Sequence, residues 1–229
     1  MRSIFVYCLF FIMPALAQAQ ARDFEVWSDI TVVGRLNDKW RIGGDFGYRF
    51  ISGMGWQTAY IRLVVSYKPV EWLRLRAGGA NFNTWQPGRF ELQEWRTYEY
   101  VNVNWPRFSW LQVGHRMGLD QRWFYRNGNE FERFVHRFRY QISLRSPDFT
   151  LGLKRSPFYG ALRIEVLRDI NNWHLPVIFD HDRLIFALGN TINDSWRLEL
   201  QYMIIYLNQT LQMFIPDIDV LRIRLYYNF

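Results

Sequence analysis

The sequence predicts an all-β protein, an antiparallel transmembrane β-barrel of ten or twelve strands in up-and-down order. Three observations predict it. The last ten residues, 220–229, alternate apolar and charged side chains; ten further segments share that period of two; and no segment is long and apolar enough for a spanning helix, which needs about 20 residues.

Met1-Arg2-Ser3 is a short basic start, and the run Ile4 to Leu16 is almost wholly apolar. Ala17-Gln18-Ala19 then offers the small-x-small cleavage pattern of a secretory signal peptide. The expectation is a signal peptide over 1–19 and a barrel over 20–229, with any membrane span made of strands. Cys8, the single cysteine, lies inside the leader, so the mature protein is expected to have neither disulfide nor thiol chemistry. Cys8 also lacks the small neighbours expected before a lipidated cysteine.

Of 28 basic residues only Lys39, Lys68 and Lys154 are lysines, leaving 25 arginines. Arginine is favoured where planar, two-pronged pairing with carboxylates or phosphates is required. The formal charge of +7 falls to +6 without Arg2, but export and the lack of basic clusters argue against a nucleic-acid partner. Aromatics make up 19% of the chain, which suits interfacial girdles better than an ordinary soluble core.

Candidate strands fall near 24–34, 40–50, 57–67, 72–82, 92–104, 108–124, 130–145, 158–168, 182–190, 196–206 and 219–229. The second is the clearest: Trp40, Ile42, Gly44, Phe46, Tyr48 and Phe50 alternate with Arg41, Gly43, Asp45, Gly47 and Arg49. Eleven strands conflict with the even count expected of a bacterial single-chain barrel with both termini on one side. The reading therefore leaves ten, if 24–34 is not a wall strand, or twelve, if one has been missed.

A weak repeat marks one rim. Asn37-Asp38-Lys39-Trp40, Pro69-Val70-Glu71-Trp72 and Asn193-Asp194-Ser195-Trp196 each place a tryptophan just after a polar turn. Tryptophan belongs at the headgroup level, its ring half buried and its N–H wet, so Trp40, Trp72 and Trp196 are expected to form a membrane-interface girdle. The alternate connections, near 51–56, 83–91, 125–129, 169–181 and 207–218, read as generally longer and would face outward.

The final strand places Leu221, Ile223, Leu225, Tyr227 and Phe229 on one face, and Arg222 and Arg224 on the other. Charge one face away from an apolar stripe suits a wall between lipid and a watery lumen. A terminal Phe with apolar residues at alternate preceding positions also resembles the C-terminal signature of bacterial outer-membrane barrels. That resemblance implies an outer-membrane location, lipid and the barrel-assembly machinery as partners, and a monomer.

The middle of the chain carries the densest polar pattern. His115-Arg116-x-x-x-Asp120-x-Arg122 puts Arg116, Asp120 and Arg122 on one face, and Arg137-Phe138-Arg139-Tyr140-Gln141 does the same for Arg137, Arg139 and Gln141. Here the chain resembles the Domain of Unknown Function 2490 family, outer-membrane barrels without an assigned role. The likeness extends to Glu165, to Arg183 opening a later strand, and to the aromatic end. It implies fold and location, not function.

These arginines are expected to line the lumen beside Asp45, Glu94, Asp120, Glu165 and Glu199. One reading is an arginine–carboxylate ladder that fills and braces a narrow barrel, with Arg116, Arg122, Arg137 and Arg139 paired to Asp120, Glu165 and their neighbours. A second is a small anion-preferring channel, as arginine rings make in anion pores. A third is a lipid-acting outer-membrane enzyme. The sequence speaks against it: His115 and His136 fall on the outward face with no serine nearby, and no nucleophile elbow, phosphate loop or zinc spacing appears. His174, Asp180, His181 and Asp182 could ligate a cation but read as solvated loop charge. No catalytic residue, metal or cofactor is expected. A soluble β-sandwich would not need the terminal aromatic strand or the repeated rim tryptophans.

Overall fold

Period-two alternation becomes eleven strands in a computed structural model of the 229-residue chain. It describes residues 23–51, 55–86, 90–106, 108, 110–127, 130–150, 156–170, 182–206 and 218–229. The strands are β1 (Asp23–Arg35), β2 (Trp40–Ile51), β3 (Trp56–Val70), β4 (Leu73–Gln86), β5 (Phe90–Asn104), β6 (Gln112–Arg126), β7 (Glu130–Arg145), β8 (Phe158–Asp169), β9 (Asp182–Thr191), β10 (Trp196–Tyr206) and β11 (Ile218–Asn228). Each pairs antiparallel with its sequence neighbour, and β1 pairs with β11 to close the wall. The expected signal peptide and the His174/Asp180/His181 stretch lie outside the described residues.

The count is eleven, between the ten and twelve that parity allowed. Residues 24–34 are a full wall strand. An up-and-down chain with an odd number of strands brings its last strand back parallel to its first, and β1 and β11 are indeed parallel, with Asp23 beside Ile218 and Val33 beside Asn228. The start of β1 and the end of β11 therefore lie at opposite rims, not on one side as an even count would require. At strand spacings near 4.8 Å and the usual tilt, eleven strands enclose a barrel about 20 Å across at the backbone, narrow enough for long side chains to reach well towards the axis.

The wall is inside out. Ile61 and Leu63 on β3 are 52% and 65% exposed, and the outward residues Val26, Ile30, Phe46, Phe186, Leu200 and Ile223 are exposed as well. Inward positions around the wall carry Asp29, Glu94, Asp120, Arg137, Arg139, Glu165 and Glu199, all buried. A continuous apolar belt around charged contents is the arrangement a bilayer requires and water does not.

Strands β3, β4 and β5 run further than the alternation suggested. Three of the five connections expected to be long thereby shrink to three or four residues, and only 170–181 and 207–217 stay long on that rim. The strand expected from residue 108 begins at Gln112; ahead of it Phe108 and Leu111 bridge to each other in a tight turn.

The other rim is where the tryptophans gather. Asn37 Oδ1 accepts from the backbone N–H of Lys39 (2.9 Å) and Trp40 (2.8 Å). Asn193 Oδ1 does the same for Ser195 (3.0 Å) and Trp196 (2.8 Å). The repeated Asn-Asp-x-Trp is thus one turn made twice, the asparagine side chain standing in for a backbone acceptor. Each tryptophan then packs on a tyrosine of the neighbouring strand, Trp40 on Tyr67 at 4.7 Å and Trp196 on Tyr227 at 4.6 Å between ring centroids. Trp72 sits exposed in the β3–β4 turn of the same rim.

Inside, four tyrosines fold over glycines directly opposite them: Tyr60 over Gly47, Tyr98 over Gly78, Tyr100 over Gly118 and Tyr159 over Gly189. A Cβ at any of these glycines would meet the tyrosine side chain, so the empty position is what lets the ring lie flat on the wall.

Phe229 fastens the parallel seam. Its N–H donates to Val33 O and its carbonyl accepts from Arg35 N–H, both at 3.1 Å, while its ring lies over Gly34. Deleting Phe229 removes both bonds, worth about 1 kcal/mol each, from the last contact to form in a chain folded end to end. Less of the heat-modifiable, folded band is expected on gels of membrane fractions, with the total amount of the chain unchanged. An undiminished folded band would show that the seam closes without it.

Candidate functional site: an arginine-lined lumen

The inward face of almost every strand contributes to one cavity of about 650 Å³ running along the barrel axis. Ile51 and Thr84 line it at the long-loop rim, and Arg41 and Asn228 at the tryptophan rim. Among the described residues fifteen arginines line it, but only four carboxylates do: Glu25, Asp45, Glu94 and Glu165. Asp29, Asp120 and Glu199 are sealed into the wall among them.

The carboxylates organise the arginines into three groups, the first made of two adjacent clusters that share no ion pair. In the first, Arg96 and Arg122 converge on Glu94 at 2.7 and 2.5 Å. Next along the wall, Arg137 donates through Nε and Nη2 to Asp120 Oδ2 at 3.1 and 2.8 Å, and the Tyr100 hydroxyl donates to the other oxygen. Arg139 lies 3.5 Å from Asp120 and 3.7 Å from Glu165, which also pairs with Arg183 at 3.1 Å. One chain of charge thus steps from β6 through β7 and β8 to β9.

The second group spans the parallel seam. Asp29 on β1 takes Arg222 Nε at 2.6 Å on one oxygen and Arg224 Nε at 2.7 Å on the other, both from β11. Arg224 continues to Asp45 on β2 at 3.1 Å, where Arg62 of β3 closes the group at 2.9 Å. In the third, Arg163 grips both oxygens of Glu199 at 3.0 and 2.9 Å, and the Tyr159 hydroxyl donates to it at 2.7 Å. Two-pronged, charge-assisted bonds of this kind are the strong ones, and they compensate carboxylates that water cannot reach.

Aromatic rings hold the guanidiniums flat. Arg49 lies 4.0 Å over the Trp27 ring, Arg96 is 4.4 Å over Phe82, Arg122 is 4.7 Å over Phe124, and Arg197 is 4.0 Å over Tyr226. A cation on a ring face needs no counter-charge to be held in place.

Of the nine inward residues singled out from the sequence, eight belong to these ion-paired groups. Arg122, expected beside Asp120, pairs instead with Glu94, because β5 lies on the other side of β6 from the Asp120 partners. Arg116 meets no described carboxylate; its Nη2 donates to Gln141 Oε1 at 2.7 Å. The alternation could have offered Asp29, which alternates with Trp27 and Thr31 facing Arg222 and Arg224 across the seam. The expected lumen carboxylates do not include it. Arg49 falls on the charged face of the 40–50 alternation, whereas Arg62, Arg76, Arg96, Arg163 and Arg197 are inward residues that the sequence reading does not single out for the lumen.

His115 and His136 face outward as expected. His115 Nδ1 is 2.8 Å from the Tyr140 hydroxyl, and the His136 ring meets Phe134 edge-on at 4.5 Å. Asp182, the one described member of the loop cluster, accepts from Arg168 at 2.8 Å.

The family model described as a protein of unknown function, DUF2490, matches residues 24–212. The chain belongs to that family. The residues that carry the resemblance in the sequence, Asp120, Arg122, Arg137, Arg139, Glu165 and Arg183, all lie on the inward face of the wall. Among solved structures, the KdgM porin in complex with disordered oligogalacturonate has a TM-score of 0.44 at 10% identity over 80% of this chain and 90% of that chain. The KdgM porin alone gives 0.43 at 11% identity over 80% and 91%. No curated protein matches.

Asp120 is the test of the network. Asp120→Ala would leave Arg137 and Arg139 facing each other without their shared counter-ion, a loss of about 3–5 kcal/mol for a buried pair broken on one side. Asp38→Ala removes an exposed turn pair with Arg35, where about 0–1 kcal/mol is at stake. Urea unfolding of the refolded barrels should separate the two by at least 2 kcal/mol, a gap derived from those ranges. Equal stabilities would show that water in the lumen, rather than Asp120, carries the arginines.

Proposed function

We propose that this protein is a non-catalytic, monomeric barrel of a bacterial outer membrane whose lumen offers anions a narrow passage. One observation carries the reading. Fifteen arginines surround a cavity reaching from rim to rim, more than the lumen carboxylates can neutralise. Rings of arginine in a confined, low-dielectric channel favour anions and repel cations.

The ion-paired groups brace the wall in this reading, and the surplus arginines set the selectivity. The bore is small. Near the long-loop rim, Trp27, Ile185, Met203, Ile205 and Val220 form an apolar cluster on the inner wall, and an apolar constriction resists wetting. The tryptophan rim would face the periplasm, where Trp40, Trp72 and Trp196 meet the headgroups, and Leu221, Ile223, Leu225, Tyr227 and Phe229 would be read by the assembly machinery. An enzyme has little support, since His115 and His136 are both engaged with aromatic side chains on the lipid-facing side.

Planar-bilayer recording of the purified barrel tests the proposal. A small conductance is expected, with a reversal potential in a potassium chloride gradient that reports anion preference. Cation preference, or a silent barrel at all voltages, would overturn the passage; silence would favour a lumen that is only braced.

A further inference from the structure

Apart from Arg49 and Arg197, which lie on aromatic rings, the lumen arginines without a described ion pair are not scattered. Arg41 on β2 and Arg76 on β4 flank Ser66, which is in register with both, and Arg74 on β4 and Arg116 on β6 flank Asn102 in the same way. The two rows share β4, where Arg74 and Arg76 are alternate residues pointing inward, so the four form one staggered patch near the tryptophan rim. None makes an ion pair with a described carboxylate. The Nε atoms of Arg76 and Arg116 are buried with no hydrogen-bond partner. Elsewhere in the lumen each ion-paired cluster of arginines closes around a carboxylate; here four arginines flank two short neutral residues in the strand register.

From this patch we infer a binding site for a phosphate group on the β2–β4–β6 face of the lumen, resting on the reading of the lumen as an anion passage. Like charges held together on one wall repel, and a counter-ion between them removes the cost. Members of a row sit two strand spacings apart, about 10 Å, with the short Ser66 or Asn102 leaving the floor between them open. Guanidinium tips can therefore approach one small group from several directions. A carboxylate has two coplanar oxygens, and among the described contacts the acids of this wall take no more than two arginines each; a phosphate presents more oxygens, tetrahedrally disposed, and carries up to two charges, so it can be met by more guanidiniums at once. The patch matches the second. Free phosphate and the phosphate of a monoester share this chemistry.

The experiment uses the whole refolded barrel. Chloride current across planar bilayers is titrated with inorganic phosphate, phenyl phosphate or acetate at constant ionic strength, and thermal unfolding is followed in parallel with the same three anions. Phosphate should block chloride current at one-tenth or less of the acetate concentration and raise the unfolding midpoint where acetate does not. Block by phenyl phosphate as well assigns the site to the group, and block by phosphate alone assigns it to the free ion. Arg76→Gln and Arg74→Gln/Arg116→Gln should weaken the block at least tenfold, while Arg35→Gln in the rim turn should leave it intact. If a variant does not fold, the unfolding shift of the unmutated protein still decides. An anion-selective barrel that treats phosphate like acetate would overturn the site and spare the passage. A phosphate-stabilised barrel without anion selectivity would overturn the passage and spare the site.

Discussion

A carboxylate with no access to water stays ionised only where cations close around it, and Asp29 is where the fold depends on that rule most. An odd meander must seal itself with one parallel pair of strands, and here the pair joins the two ends of the described chain. Asp29 stands on β1 where Arg222 and Arg224 arrive on β11, one arginine to each oxygen. Backbone bonding in a parallel pair is slightly weaker per residue than in an antiparallel one. The two charge-assisted bonds reinforce that seam through side chains, and Phe229 adds two backbone bonds at the rim. Arg224 then passes the connection to Asp45 and Arg62, so the seam is tied to β2 and β3 as well.

The same logic runs around the rest of the wall. Each buried acid takes arginines from a neighbouring strand, so the charged contacts follow the backbone ladder and reinforce its register. A slip of one residue would turn every lumen arginine towards hydrocarbon. Tyrosines lying over glycines serve the same end: Tyr100 can reach Asp120 only because Gly118, directly opposite, leaves its ring room. The preference for arginine over lysine, 25 to 3, follows from these demands. A guanidinium can bridge two carboxylates, as Arg224 does, or lie on a ring, as Arg49 does on Trp27; a lysine ammonium lacks the planar fork for either.

Much of the fold could be read in the sequence because alternation is local. Every one of the eleven strands was placed, and the rim tryptophans and inward arginines follow from counting in twos. Pairing is not local. Whether Arg122 meets Asp120 or Glu94 depends on which of its two neighbouring strands supplies the acid, and that is set by register across β5, β6 and β7. Alternation also shows two faces without saying which is outer: Thr97, Glu99 and Gln121 lie on the lipid side, where Thr97 donates to Gln121 at 2.7 Å and Gln121 to Glu99 at 3.1 Å. A small polar network on that face satisfies part of what hydrocarbon cannot. The strand count escaped the reading for a different reason: parity was taken from barrels whose ends share a rim, and nothing in a string of residues forbids a parallel seam.

The lumen's surplus of positive charge is best understood against its braced portions. If arginines served only to neutralise buried acids, their number would track the carboxylates, and guanidiniums would be found wherever an acid is sealed from water. Arg137, Arg163 and Arg222 obey that rule. Arg49 and Arg197 do not; aromatic faces hold them instead. Arg41, Arg74, Arg76 and Arg116 have neither an acid nor, for the first three, a ring within reach among the described contacts. Side chains so placed raise the electrostatic energy of the empty barrel, and only something that enters the lumen with negative charge lowers it again. The wall is stabilised by the arginines that found partners. The positive charge left over in the lumen belongs to those that did not.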